Sequence, residues 1–204
     1  MRYLFVGAHP DDIEYSCGGT ILRLLDEGHK VYVAVMTYGG NTLTEWERNR
    51  KVEQVNASRV AKFTDLIMLC HEDGTISANN VAIRQISDII ESFEIDIVFT
   101  HYPNDSHQDH RATAQIVKSA TRRKCTLIYF DSYSSIDFHA NLYVDISPYI
   151  AGKENMIRCF KSQIDKFYDR NIDFTRKSLL TNQLNGCECS AGYAEGFVID
   201  TYYI

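Results

Sequence analysis

Proline is scarce, with three residues in 204 (Pro10, Pro103 and Pro148), and no Pro/Gly-rich stretch marks a linker. One continuous domain over residues 1–204 is therefore expected. Long apolar runs are missing too. No segment approaches 18 apolar residues, which excludes a membrane-spanning helix. The opening MRYLFVGAHP is too short to hold a signal core and already reads as a strand, so a cytoplasmic address is expected. Repeats, low-complexity segments and long like-charge blocks are absent, which argues against solenoids and disorder. Positive charge is in deficit: 21 Lys and Arg against 27 Asp and Glu leave a net charge of −6. A nucleic-acid partner is not expected, because phosphate binding wants a basic face. Six cysteines in a chain with no leader read as free thiols. The Cys187-x-Cys189 pair alone does not close a metal site. Three motifs are lacking as well: GxGxxG, GxxxxGK[ST] and the GxSxG elbow.

What is present is an ordinary globular composition, 45% hydrophobic and 24% charged, in a chain long enough to bury a sizeable core. Near-continuous apolar runs at Tyr3–Gly7, Val31–Met36, Leu66–Leu69, Ile95–Thr100 and Thr126–Phe130 predict strands covered on both faces. Between them lie helix-period segments at Gly19–Glu27, Glu45–Phe63, Val81–Phe93 and Asp109–Thr121. The third places Ile83, Ile86, Ile90 and Phe93 on one stripe. Strand–helix alternation predicts an α/β fold: a three-layer, Rossmann-like arrangement with a mostly parallel twisted sheet flanked by helices. Residues 1–131 form its core. Residues 132–204 complete it with a strand at Leu142–Ile146, a helix after Pro148, another near Phe174–Leu184 and a last strand near Phe197–Ile199.

Two polar clusters stand out, each just past a predicted strand. The first is AHPDDIE (residues 8–14), with His9, Asp11, Asp12 and Glu14. The second is THYPNDSHQDHR (residues 100–111), with His107, Asp109 and His110. In a parallel sheet both rise at the carboxyl edge, where such folds bind ligands, and they can meet in space. His9 and Asp12 are three apart in a tight turn, and His107 and His110 three apart at a helix start, spacings at which side chains share one face. Two histidines and a carboxylate suit zinc with a position left for water, or ferrous iron. Taken singly, each residue has a plain structural role open to it: Asp11, Asp12 or Asp109 as a helix cap, Glu14 as a helix-start residue, Arg50 as an ion-pair partner of Glu53. Their gathering at two matching strand ends favours chemistry.

On these residues the chain resembles the LmbE-like or PIG-L family of zinc-dependent N-acetyl-sugar deacetylases. AHPDDIE is similar to the family's first signature and HQDHR to its second. CGGTI (17–21), RKVEQVNAS (50–58), EDGTI (72–76), VDIS (144–147), KSQI (161–164) and YAEGF (193–197) extend the likeness along essentially the whole chain. The resemblance implies that His9, Asp12 and His110 hold zinc, that Asp11 is the general base, that His107 is a second acid or oxyanion helper, and that Asp109 orients it. It implies that Arg50 and Asp73 face substrate, a small N-acetylated sugar or glycoconjugate, with homo-oligomerisation left open. One departure is visible: where some members have a tyrosine two residues before the first histidine of His-x-Asp-His, this chain has Asp105. A hydrolase of another amide and a metal- or carbohydrate-binding module without turnover are the competing readings. Asp11 speaks against the module, which needs no base beside a metal.

Overall fold

The fold was analysed in a computed structural model, which describes residues 1–39, 45–122 and 124–203, the side chains of 45–49 excepted. Seven strands make one sheet: β1 (Arg2–Gly7), β2 (Lys30–Thr37), β3 (Asp65–His71), β4 (Ile97–His101), β5 (Thr126–Phe130), β6 (Leu142–Asp145) and β7 (Ala194–Thr201). Their spatial order is β3-β2-β1-β4-β5-β7-β6. The first five run parallel, and β7 pairs antiparallel with both β5 and β6. The α/β expectation holds, with the two late strands closing one edge of the same sheet.

Helices α1 (Asp12–Asp26), α2 (Glu45–Ala61), α3 (Asn80–Ser92) and α4 (Gln108–Thr121) follow β1 to β4 in turn. Alternation along β1 explains its near-continuous apolar run. Leu4 and Val6 join one core with Ile86, Ile90, Ile116 and Val117 of α3 and α4. Phe5 joins the opposite core with Ile13, Cys17 and Ile21 of α1, and with Phe99, Phe130 and Phe197. Fully buried side chains such as Phe5, Ile21 and Phe130 each contribute about 2 kcal/mol by leaving water.

The chain reverses its winding direction between β1 and β4, which lie side by side. Both polar clusters therefore rise at one point of the carboxyl edge, in the crevice where open α/β sheets bind ligands.

Two elements differ from the sequence reading. Helix α1 begins at Asp12, well before Gly19, so the acidic signature is itself the first helical turn. Its acidic groups Asp12 and Glu14 suit the positive end of the helix. Gly18 and Gly19 do not open the helix; they admit close neighbours, since a Cβ on Gly19 would meet Ile146 Cβ at 2.7 Å. After Pro148 the chain forms a short 3-10 turn (Ser147–Tyr149) and then two helices instead of one, α5 (Ile150–Ile157) and α6 (Lys161–Tyr168), before α7 (Phe174–Cys189).

The late segment is tied into α1 by a buried carboxylate. Glu195 of β7 accepts hydrogen bonds from the amides of Gly19 (2.9 Å) and Thr20 (2.7 Å) and from Lys153 Nζ (2.6 Å). Both charged side chains of this ion pair are fully buried.

Candidate active site

The β1–α1 turn sets the first half of the site. Asp12 accepts the amide of His9 at 2.7 Å, closing the turn. Asp11 sits at φ 102°, a left-handed backbone that side chains rarely adopt. Such strain persists where the surroundings enforce it. Here Arg50 of α2 does so: its guanidinium donates to Pro10 O at 2.7 Å and to Gly39 O at 2.9 Å, and lies 3.4 Å from Asp11 Oδ2. Arg50 thus braces the turn rather than pairing with Glu53, whose carboxylate accepts the amide and hydroxyl of Ser162 in α6.

The β4–α4 segment supplies the second half. His107 caps α4, its Nδ1 accepting the Asp109 amide at 3.2 Å. The neutral ring accordingly carries its proton on Nε2. His110 lies one turn on, its ring stacked on that of His107 at 4.6 Å.

Each of the two outer histidines is held the same way. His9 directs Nδ1 at Asp12 (3.5 Å) and Nε2 at Asp109 (3.1 Å) and Asp73 (2.9 Å). His110 directs Nε2 at Asp12 (3.4 Å) and Nδ1 at Asp105 (3.0 Å). One nitrogen of each ring faces the shared aspartate while a carboxylate fixes the other, as in carboxylate–histidine–metal arrangements. Asp105 is fixed in turn by the amide of His107 at 2.8 Å and by the hydroxyls of Ser132 and Ser134. Asp109 accepts the amides of Gly74 (2.6 Å) and Ile76 (3.2 Å). Its carboxylate lies against His9 and meets His107 only through its backbone amide.

Carboxylates surround both of these histidines. Burial opposes charge on His9, yet the hydrogen bonds it donates to Asp109, Asp12 and Asp73 hold its pKa well above normal. Burial likewise opposes charge on His110, and Asp12 and Asp105 still raise it to about 9. Asp12 is lowered against burial by His110 and His101. Ringed by carboxylates, the imidazoles retain protons that a divalent ion would displace. Nitrogens of His9, His107 and His110 come within 4.8 Å of one another, as do donor atoms of Asp12, His101 and His110. The donor set therefore fits zinc or ferrous iron.

Asp11 is pushed up to about 7, chiefly by burial and with the Arg50 charge pulling the other way. Burial, then the charges of His9 and His110, depress His107.

The structure brings His9, Asp11, Asp12, Arg50, Asp73, His107 and His110 to one open cleft of about 270 Å³. Asp109 stands behind His9, fully buried. Glu14 of the first signature turns away from the cleft and accepts from Gln54 Nε2 at 2.6 Å. Two contributors have roles that no motif announces. His101, fully buried, lies 3.2 Å from Asp12 Oδ2; its place at the end of β4 was the available signal. Asp105 was seen as a departure from a tyrosine, and its role as the anchor of His110 was not.

A family model described as "PIG-L: GlcNAc-PI de-N-acetylase" matches residues 4–121. The chain belongs to this deacetylase family. It is 33% identical over 138 residues to the "uncharacterized deacetylase YaiS" of Escherichia coli K12, covering 65% of this chain and 74% of that protein. It is also 33% identical over 138 residues to the "probable N-acetyl-alpha-D-glucosaminyl L-malate deacetylase 2" of Bacillus cereus, covering 59% of this chain and only 60% of that relative's length. The fold is shared with the N,N'-diacetylchitobiose deacetylase of Pyrococcus horikoshii, at a TM-score of 0.83 and 22% identity over 97% of this chain and 83% of that one. Among the described residues no helix is long and apolar enough to cross a membrane.

Proposed function

We propose that this chain is a metal-dependent hydrolase removing the acetyl group from an N-acetylated amino sugar or its conjugate. One observation carries the reading: two carboxylate-anchored histidines turn toward one aspartate, beside a second buried aspartate that shares their cleft. Family membership and the names of the relatives support the acetylated-sugar part.

His9, Asp12 and His110 would hold the ion, with zinc the expected metal and ferrous iron the alternative. A divalent ion held there would supply Lewis acidity, polarising the acetyl carbonyl and bringing the pKa of water from 15.7 toward roughly 7. Asp11 accepts the proton of the attacking water. Its backbone is left-handed at φ 102°, and the Arg50 guanidinium 3.4 Å away favours the carboxylate form in a buried place. His107 presents its Nε2 proton to the oxyanion, a contact of a kind worth about 3 kcal/mol of barrier. Asp109 and Asp105 keep the ligand histidines aimed. The departing amine takes the proton that Asp11 accepted from the water, and Asp73 and Arg50 border the substrate.

An acetate-release screen over N-acetylated sugars tests this, using metal-stripped protein with zinc or iron restored. Release is expected only after the metal is returned. Release that ignores the metal, or none from any sugar, would overturn the reading.

A further inference from the structure

Helix α7 is built inside out. Its buried stripe is largely polar, with Thr175, Ser178, Asn182 and Gly186, whereas Leu180 and Leu184 stand 48% and 69% exposed. A surface helix ordinarily turns its apolar residues inward. Ser178 has a packing use, since its Oγ donates to Tyr15 O at 2.8 Å. Asn182 instead lines a second cavity of about 170 Å³, beside the catalytic cleft and lined also by Thr181 and Asn185. We propose that this cavity binds one neutral, hydroxyl-rich ring, a sugar or another cyclic polyol. The proposal goes beyond the deacetylase reading and does not depend on it.

Unmet hydrogen bonding is the first reason. Asn182 is only 4% exposed, and among the described residues its Oδ1 has no hydrogen-bond partner. Ser16 Oγ, contributed by α1 to the same cavity, is buried and equally without one. Native chains leave few buried polar groups in this state, and those few call for a ligand or a function. A hydroxyl both donates and accepts, so it answers an amide, a serine hydroxyl and the nearby Asp131 carboxyl alike.

Charge is the second reason. Asp131 and Lys177 bring one charge of each sign to the cavity, and each favours the other's charged form. Lys177 is further committed: its Nζ lies 3.5 Å over the Tyr133 ring and donates to Tyr133 O at 3.3 Å. A phosphate or carboxylate would meet Asp131 with that lysine already engaged, and an ammonium would meet Lys177. Neither sign gains the charge-assisted bonds that an ionic ligand needs.

Size and place give the third. The volume is the room of roughly five or six waters, which suits a single ring and no larger glycan. Gly196 of β7 keeps that room, because a Cβ there would come within 3.1 Å of Asn185 Nδ2. Tyr15, Ser16, Ser132 and Tyr133 line both this cavity and the cleft, so the two spaces share a wall. The ring is then either a distal part of the substrate or a separate sugar, and the recognising chemistry is the same.

The side-chain amide resonances of Asn182 and Asn185 in isotope-labelled, metal-supplied protein test this. Titrated with glucose, which has no acetyl group to lose, both should shift saturably, and glucose 6-phosphate should bind no more tightly. Asn182→Leu, which fills the cavity with a good helix former, should abolish the shift at Asn185. Asn182→Ala should weaken glucose binding about fivefold, the worth of one hydrogen bond. No saturable shift, tighter binding of the phosphate, or full glucose binding by both folded variants overturns the proposal. Acetate release then tells the two sources apart. For a ring belonging to the substrate, kcat/KM for N-acetyllactosamine should exceed that for N-acetylglucosamine by about tenfold, and Asn182→Leu should bring the ratio to near one with the monosaccharide rate kept. For a separate sugar, the variant loses glucose binding and leaves the ratio alone; the proposal stands in both cases. Glucose binding with no acetate released from any sugar would overturn the deacetylase reading and keep the ring site.

Discussion

The chain's first 131 residues and its last 73 do different work. The early part builds five parallel strands and brings every proposed metal ligand, the proposed base and their anchoring carboxylates to one edge. The late part brings two antiparallel strands and the cleft-lining Tyr133, Lys166, Phe167, Arg170 and Phe174, and it supplies Ser132 and Ser134 that lock Asp105. Chemistry sits in short motifs beside strand ends; the shape of the cleft comes from side chains scattered over helices. A fold of this kind can keep one reaction and change its substrate by altering the late part alone.

Substitutions can sharpen or break that division. The largest effect is expected from His110→Ala, which should release the metal and reduce turnover to background while circular dichroism stays native. Metal content per chain checks it, and full retention of metal would discard the ligand set. Asp11→Asn comes next: metal should be kept while kcat falls about 100- to 10,000-fold, so a normal rate would remove Asp11 as the base. Lys153→Met probes the tie between the two parts. It leaves Glu195 as an uncompensated buried charge at the amides of α1, a change of roughly 3–5 kcal/mol, read as a lower urea midpoint. An unshifted midpoint would mean that the parts are stabilised independently.

The smallest effect lies at the seam. Burial pushes Asp131 up to about 6, against the pull of Ser135 and Lys177 and with Asp105 adding to the rise. The unfolded carboxyl ionises near 3.8 while the native one still holds its proton, so native protein binds more protons between about pH 4 and 6. Stability therefore declines as pH rises through that window. Asp131→Asn should flatten the decline, measured as urea midpoints at pH 4.5 and 7.

Much of this was legible in the sequence. The apolar runs gave the parallel strands because burial on both faces leaves little choice of residue type, and the two signatures fell on neighbouring strand ends. The start of α1 was misplaced because Gly18 and Gly19 look like breakers; only the approach of Lys153 and Ile146 shows why they lie inside a helix. Helix α6 escaped because its one fully packed position, Gln163, is polar. Asp105 and His101 act through partners distant in sequence, Ser132 and Asp12 among them, and no local pattern encodes such pairings.

Glu195 has a consequence for the order in which the molecule assembles. Helix α1 receives carboxylate partners for two of its amides from a strand synthesised some 175 residues later. Contacts of such long range form late and slowly. The helix that Asp11 caps and Asp12 opens is thus not finished until β7 has emerged, and a nascent fragment holding both signatures would still lack a settled edge at this site.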